Sequence, residues 1–414
     1  MTSGCTVHFQ VFLVLEAFQI YSMSHTFDLI ILGGGCAGLS LAVRLAGASL
    51  PGFRTLVVES RTHYTNDRSW CFWGSKLSNG AYTVERQWGR MRLTSGAQTT
   101  LVDCGLTPYQ MLPAESFYGA ALSVISQAPN ITLKVGTAVL ATPIKIDGNW
   151  RVSTDAGVFS GRMVVDTRPQ QLPEQGGALL WQSFYGQEIE CDTPVFDATC
   201  MDLMNFLPAD PSCIPFVYVL PMRPTRALVE VTVFGVQPLA PEDLAFKLET
   251  AIAQRVGGAP FRVLRSEHGI LPMGLRAKPK NADRSYVRAG LMAGGARPST
   301  GYAFQRIQRW ADACTKSLLA GFLPIEHTPD PAVLQAMDKL FLKVIRANPE
   351  QAGALFCALF AKADPSRVIR FLSGEGTWLD YAAVVAALPP WPFIKLMFDR
   401  REARVSHQAA GQNA

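Results

Sequence analysis

The chain has 414 residues, 48% hydrophobic and 17% charged, with a formal net charge of +5. That length buries a sizeable core in about two domains. The mild charge carries no clustered Lys/Arg stripe, which excludes a nucleic-acid binder, and no run of about 20 uncharged apolar residues marks a clean membrane span. Nine cysteines, scattered and without C-x-x-C pairs, point to a reducing cytoplasm and argue against a disulfide framework and against a metal site.

Met1 to Ser22 has an apolar centre, Val11 to Leu15, with no Lys or Arg before it and Glu16 inside the segment. Lacking a basic region and a cleavage site, it reads as an upstream extension ahead of Met23, with a membrane-touching arm as the alternative. The first motif follows. Phe27 to Leu32 is an apolar run of strand length, and Leu39 to Leu45 restarts as an apolar helix. Between them, Gly33-Gly34-Gly35-Cys36-Ala37-Gly38 fits G-x-G-x-x-G in its strand–turn–helix context. Gly33 permits the turn, Gly35 lets a pyrophosphate approach the backbone, and Gly38 lets the helix pack close. The phosphates then meet the helix N-terminus. Thr55 to Val58 reads as a second strand ending in Glu59, spaced to take ribose hydroxyls. Motif, strands and acid together favour a dinucleotide site over an ordinary glycine-rich turn.

Tyr64 to Trp73 interleaves Tyr64, Trp70, Phe72 and Trp73 with an Asn-Asp-Arg turn. Such an aromatic wall suits an extended apolar substrate and can hold a cation over ring faces. From composition alone, an aromatic core cluster under a loop explains it better. Thr107 to Gln127 reads as a helix, with Pro113 near its first turn and Glu115 favourable to the dipole. Ile131–Val135, Thr142–Ile146, Trp150–Thr154 and Met163–Val165 then read as a β-meander, split by Asp147-Gly148-Asn149 and Asp155-Ala156-Gly157. It ends at Asp166-Thr167-Arg168, a strand-end Asp-x-Arg of the kind that lies near the flavin in two-dinucleotide-type flavoproteins; a surface cation is the alternative for Arg168.

The middle third, Leu179 to Met273, is rich in strand-like runs. Ala227 to Phe234 alternates and carries one acid, Glu230. Buried on an apolar strand, that carboxyl would have a raised pKa and would serve as a proton donor near neutral pH. Placed on an exposed face it would do no chemistry, and the pattern alone does not separate the two. Val287 to Phe304 runs from an apolar strand through Gly294-Gly295 into a helix starting near Thr300. Small residues there would let a helix N-terminus approach a flavin.

The order of these motifs from about Phe27 to Phe398 resembles a bacterial FAD-dependent lycopene cyclase. Asp67-Arg68-Ser69-Trp70-Cys71-Phe72 is similar to that family's aspartate-arginine-threonine-tryptophan block. Trp181-Gln182-Ser183-Phe184, Asp197, Met201-Asp202 and Phe216 to Pro221 follow in the family's order. Leu228 to Thr232 falls where the family has two adjacent acids, the second being Val231 here, and Gly294 to Phe304 resembles its glycine-rich flavin block. Met337 to Leu342 and Arg370 to Ser373 match its helical C-terminal part.

The resemblance implies an α/β fold: a doubly wound, glutathione-reductase-like FAD/NAD(P)-binding domain, an inserted β-sheet substrate domain and a helical C-terminal section. The expected division is an extension 1–22, an FAD domain from 23–80, 107–175 and 284–315, a substrate domain from 81–106 and 176–283, helices over 316–400 and a tail 401–414. The implied reaction is a non-redox closure of the acyclic ψ-ends of lycopene to rings, β most readily, requiring reduced FAD with NAD(P)H as a candidate reductant. Gly33, Gly34, Gly35, Cys36, Ala37, Gly38, Glu59, Asp166, Arg168, Gly294, Gly295, Thr300 and Gly301 are the expected cofactor residues. Glu230 is the expected catalytic acid or base, with Trp70, Phe72, Trp73, Tyr302 and Phe304 against the substrate. A lipid-dissolved substrate implies a cytoplasmic enzyme held peripherally at the inner membrane, and Ala382 to Phe398 has interfacial character without spanning length. The rivals are an FAD-dependent redox enzyme, such as a prenyl reductase or monooxygenase, and a non-catalytic flavin- or carotenoid-binding protein.

Overall fold

The computed structural model describes residues 26–48, 51–74, 82–169, 177–208, 210–275 and 282–398, so the expected extension 1–22 and tail 401–414 lie outside the described residues. Strand β1 (Thr26–Leu32), helix α1 (Cys36–Ala46) and β2 (Thr55–Val58) open the chain. Strands β3 (Ser69–Trp73), β4 (Arg86–Trp88), β5 (Arg90–Ser95), β6 (Gln98–Asp103) and β7 (Tyr109–Pro113) lead to α2 (Ala114–Ser126). Then come β8 (Ile131–Lys134), β9 (Ile144–Ile146), β10 (Asn149–Thr154) and β11 (Gly157–Asp166).

The nucleotide-binding sheet has the order β8-β2-β1-β11-β10-β9, with β17 (Tyr286–Arg288) also paired to β11. Its β8, β2, β1, β11 and β17 are parallel, and β11 turns back antiparallel onto β10 and β9. Strand β1 is buried on both faces, which is why it reads as an unbroken apolar run. Leu29 and Ile31 face α1, α2 and α4 (Phe304–Leu319), while Ile30 and Leu32 pack with Trp150 and Val152 of the meander.

Two expectations are corrected here. The helix of Thr107 to Gln127 begins only at Ala114, because Tyr109–Pro113 pairs with both β3 and β4 in a three-stranded sheet. Tertiary pairing overrides local propensity, and the fixed φ of Pro113 suits it to the N-cap. Ile131–Lys134 is not part of the meander, but the parallel edge strand beside β2.

The second large sheet has the order β16-β12-β15-β14-β13-β5-β6, built from β12 (Leu180–Cys191), β13 (Cys200–Phe206), β14 (Cys213–Arg223), β15 (Arg226–Gly235) and β16 (Phe261–Met273). Helix α3 (Pro241–Val256) covers one face, where Val229, Val231 and Val233 meet Leu244, Leu248 and Ile252. Beyond α4 lie α5 (Ala332–Ala347), α6 (Ala352–Lys362), α7 (Pro365–Leu372), α8 (Trp378–Ala387) and α9 (Pro390–Phe398), closing a core with β5, β13 and β14. The architecture is thus the expected α/β fold of mixed sheets with a helical C-terminal section. Among the described residues no helix is long and apolar enough to cross a membrane.

Candidate active site

A cavity of about 860 Å³ runs from the C-terminal ends of β1 and β2 to the inner face of the second sheet. Its polar end is the glycine turn. Gly35 is the N-cap of α1 in extended conformation, and no side chain caps the helix. The first-turn amides therefore have neither an intrahelical nor a side-chain partner, and they open onto an anion cradle. A Cβ on Gly35 would meet no protein atom within 4 Å, whereas one on Gly38 would lie 2.0 Å from the Gly33 carbonyl oxygen. The two glycines do different work: Gly38 closes the turn, and Gly35 keeps space open in front of it.

Glu59, buried at the end of β2, accepts from the Gly34 amide at 2.6 Å and from the Arg61 amide at 2.8 Å. Burial pushes its carboxyl up, but the Arg61 and Gly34 bonds outweigh burial and hold it below the usual carboxylate range. Arg168 lines the same wall, 2.8 Å from Asp166, which also accepts from the Tyr286 hydroxyl at 2.7 Å. Asp166 itself stands behind the wall and ties β11 to β17.

The loop before α4 forms the next stretch of wall. Thr300, Gly301, Tyr302 and Phe304 face the cavity, but the helix begins at Phe304, four residues later than expected. The Gly301 amide donates to the Arg297 carbonyl at 2.9 Å, and the Arg297 side chain, fully buried, pairs with Asp338 of α5 at 2.9 Å. That closed turn replaces the first helical turn. Gly294 and Gly295 do not line the cavity. The Gly295 amide donates to the Gly290 carbonyl at 3.0 Å, so both glycines shape the turn from behind, and Gly290 faces the cavity instead. His327 accepts from the Gly290 amide at 3.0 Å and stays neutral, since burial and Arg306 lower its pKa to about 3.

At the inner end, β3 splits its aromatic side chains. Phe72 stacks on Phe304 with centroids 5.1 Å apart, in the core rather than on the cavity. Trp70 and Trp73 line the cavity, and Trp73 meets Tyr109 and Tyr302 edge-on at 4.9 and 5.0 Å. The Tyr218 hydroxyl bonds that of Tyr109 at 3.0 Å, and Tyr109 and Tyr302 lie 3.3 Å apart, which makes a buried phenol cluster.

Glu230 stands beside this cluster, paired directly across the strands with Tyr218 on β14 and with Gly186 on β12. Neither face of β15 is exposed, so an exposed Glu230 is not an option: Val229 and Val231 face α3, and Glu230 and Thr232 face the cavity. Thr232 donates to Glu230 Oε1 at 2.7 Å. Burial first, then the nearby Glu267, push the Glu230 carboxyl up to about 8 against that bond. Val231, the departure from the two-acid motif, points away from the cavity. An acid there would be buried among Leu244, Leu248 and Ile252, so position 231 offers no second cavity acid.

Sequence reasoning did not assign Gly186, Tyr109, Tyr218, Gly290 or His327 to the site. One signal was present: a glycine inside a long strand pattern marks a close approach. Among the described residues no cluster of three or more His, Cys, Asp or Glu side chains has metal-site geometry.

A sequence model of the family described as "Lycopene cyclase protein" matches residues 28–397. A lycopene beta-cyclase of Pseudescherichia vulneris is 24% identical over 392 residues, covering 88% of this chain and 95% of that protein. One of Pantoea ananas is 23% identical over 396 residues, covering 90% and 97%. Among solved structures, a geranylgeranyl bacteriochlorophyll reductase-like protein of Thermoplasma acidophilum superposes with a TM-score of 0.54 at 12% identity, covering 90% of this chain and 98% of that one. The flavin-dependent monooxygenase PieE in complex with FAD and substrate gives 0.55 at 13% identity, covering 87% and 71%. At such identities the structural likenesses speak for the fold alone. The family match, by contrast, spans both large sheets and the C-terminal helices, and on it the chain belongs to the lycopene cyclase protein family.

Proposed function

We propose that the chain is a lycopene cyclase, closing the ψ-ends of an acyclic carotenoid into β rings without net oxidation. The observation that carries this reading is Glu230: a buried carboxyl whose pKa is pushed up to about 8, at the inner end of the cavity where Trp73, Tyr109, Tyr218, Tyr302 and Phe216 also line the wall. Glu230 donates its proton to the terminal alkene, and the Thr232 hydroxyl takes up the charge left on Oε1. Trp73 and Tyr302 line the same cavity, and the negative faces of their rings would stabilise the developing cation.

The polar end fits FAD by its own geometry, an uncapped helix start behind an open Gly35 with a buried carboxylate at the second strand end. The α1 amides would hold the pyrophosphate, Glu59 the ribose, and the Gly290 and Thr300–Gly301 backbone the ring. Reduced and anionic, FAD would supply negative potential beside the cation, with NAD(P)H as its electron source.

The test separates this reading from a redox flavoenzyme, whose fold the chain shares. With the protein reduced once by dithionite under anaerobic conditions and lycopene supplied in vesicles, many turnovers are expected without further reductant. The product should have the mass of the substrate. A product changed by two hydrogens or an oxygen would replace the cyclase reading with the redox one.

We also infer that α8 and α9 face the lipid surface that holds the substrate. Trp378 and Trp391 are 72% and 70% exposed, with Leu379 and Ile394 beside them, while Phe393 and Leu396 turn to the core. Helix α8 packs on α6 and α7, which supply the apolar end of the cavity through Phe356, Phe360 and Leu372. Replacing Trp378 and Trp391 together by Ser should weaken vesicle co-sedimentation by at least about tenfold, the loss expected when two large apolar side chains no longer leave water. An unchanged partition of the folded variant would remove this face from consideration.

A further inference from the structure

Glu230 on β15 and Glu267 on β16 flank one residue, Gly186 of β12, which lies between them in the sheet and is paired with both. Side chains paired across antiparallel strands project from the same face, so both carboxylates rise over a position with no side chain. A Cβ on Gly186 would lie 3.0 Å from Glu230 Cβ and 3.2 Å from its Cγ, so the Glu230 stem occupies the space that the glycine leaves. The partners of the two acids differ. Glu267 accepts from Ser69 Oγ at 2.8 Å and pairs with Arg265, which is anchored in turn by Glu188. Among the described residues Glu230 has no cation, only the Thr232 hydroxyl.

We propose that Glu230 and Glu267 act as one unit, an acid and a base joined across Gly186, in which Glu267 takes the proton whose loss ends the cyclisation. The proposal rests on the cyclase reading. The O–H bond of Glu230 breaks as a C–H bond forms at the terminal alkene carbon. The π electrons of the next double bond close the ring and leave a tertiary cation. A C–H bond beside that cation then breaks, its electrons become the ring double bond, and its proton passes to the Glu267 carboxylate. Transfer of this proton from Glu267 to Glu230 restores the starting state, and no electron is gained or lost.

A carboxylate in an ion pair with Arg265 is base enough, because a C–H bond beside a carbocation is far more acidic than a carboxylic acid. What matters is where the base stands. Its position selects which neighbouring proton leaves, and so which ring isomer forms.

The titratable groups around Glu230 are Cys71 on β3, Tyr109 on β7, Tyr218 on β14, Tyr302 before α4, and Glu267 with Arg265 on β16. Burial pushes the thiol and the three phenols up, so they are neutral at working pH, and Glu267, ion-paired with Arg265, is the carboxyl that faces Glu230.

Infrared titration of the full-length protein tests the coupling without depending on turnover. The protonated-carboxyl band of Glu230, identified by its loss in Glu230→Gln, is expected to titrate near 8 in the parent. In Glu267→Gln its midpoint should fall by about one pH unit, as when a neighbouring charge is removed. Cyclisation should fall on the order of 10²-fold or more. Glu267→Asp keeps the charge but withdraws it by one methylene. It should give a smaller fall in midpoint and a partial rescue of rate, and it serves as the test should the Gln variant not fold. An unmoved midpoint in a folded variant, or the parent rate, overturns the proposal. If the midpoint moves but the parent makes no cyclised product, the proton-sharing pair stands and the cyclase reading fails.

Discussion

Replacing Glu230 by Gln is expected to cut the rate of cyclisation by about 10²–10⁴-fold, the usual contribution of a positioned general acid. The substitution keeps the length of the side chain and its bond with Thr232 Oγ1 while removing the transferable proton. It adds no charge to a buried site, so folding and FAD binding should be intact. The parent needs the protonated form, and with its pKa pushed up to about 8 the activity should hold through neutral pH and fall as pH rises past 8. The same shift carries a stability cost of definite sign. Between about 4.5, the ordinary value, and about 8 the folded state keeps a proton that the unfolded chain releases, so stability falls as pH rises across that window. Denaturation midpoints measured across it should fall with pH in the parent and not in the Gln variant on this account, so the two diverge toward high pH. The pH–rate profile and these midpoints check the two halves of the claim. Parent activity in the Gln variant would make Glu230 structural.

Gly35→Val should abolish FAD binding without unfolding the chain. Gly35 has φ −78° and ψ −166°, open to any residue, and a Cβ there meets no protein atom. The added side chain would fill the space in front of the α1 amides that a pyrophosphate needs. Losing two charge-assisted hydrogen bonds at about 1.5–3 kcal/mol each corresponds to about 10²–10⁴-fold weaker binding. Flavin absorbance retained through gel filtration and the far-UV CD spectrum together measure this. Gly38→Val makes the contrast, since its Cβ would collide with the Gly33 carbonyl and disrupt the turn itself. A folded Gly35→Val protein with undiminished flavin would move the cofactor away from this turn.

The sequence by itself determined the features that depend on neighbours along the chain. The strand–turn–helix from Thr26 to Ala46 is legible because its glycines, its apolar run and the acid at Glu59 obey local geometry over about thirty residues. The alternation around Glu230 is equally legible, because a strand has period 2 whatever it packs against. Family-level order along the chain then gave the fold and the class of reaction.

Tertiary structure alone decided which face of β15 meets the cavity, and with it that Val231 lies under α3. The same cause set Tyr109–Pro113 in a strand, since its partners β3 and β4 belong to other parts of the chain. It also brought Glu267 beside Glu230 across Gly186, which lies 81 and 44 positions from them in the chain, a distance at which no periodicity carries information. Hydrogen-bonded pairing across a sheet is a long-range choice, made by burial of whole faces rather than by local preference. For that reason the cofactor turn was readable from residues alone, and the acid's surroundings were not.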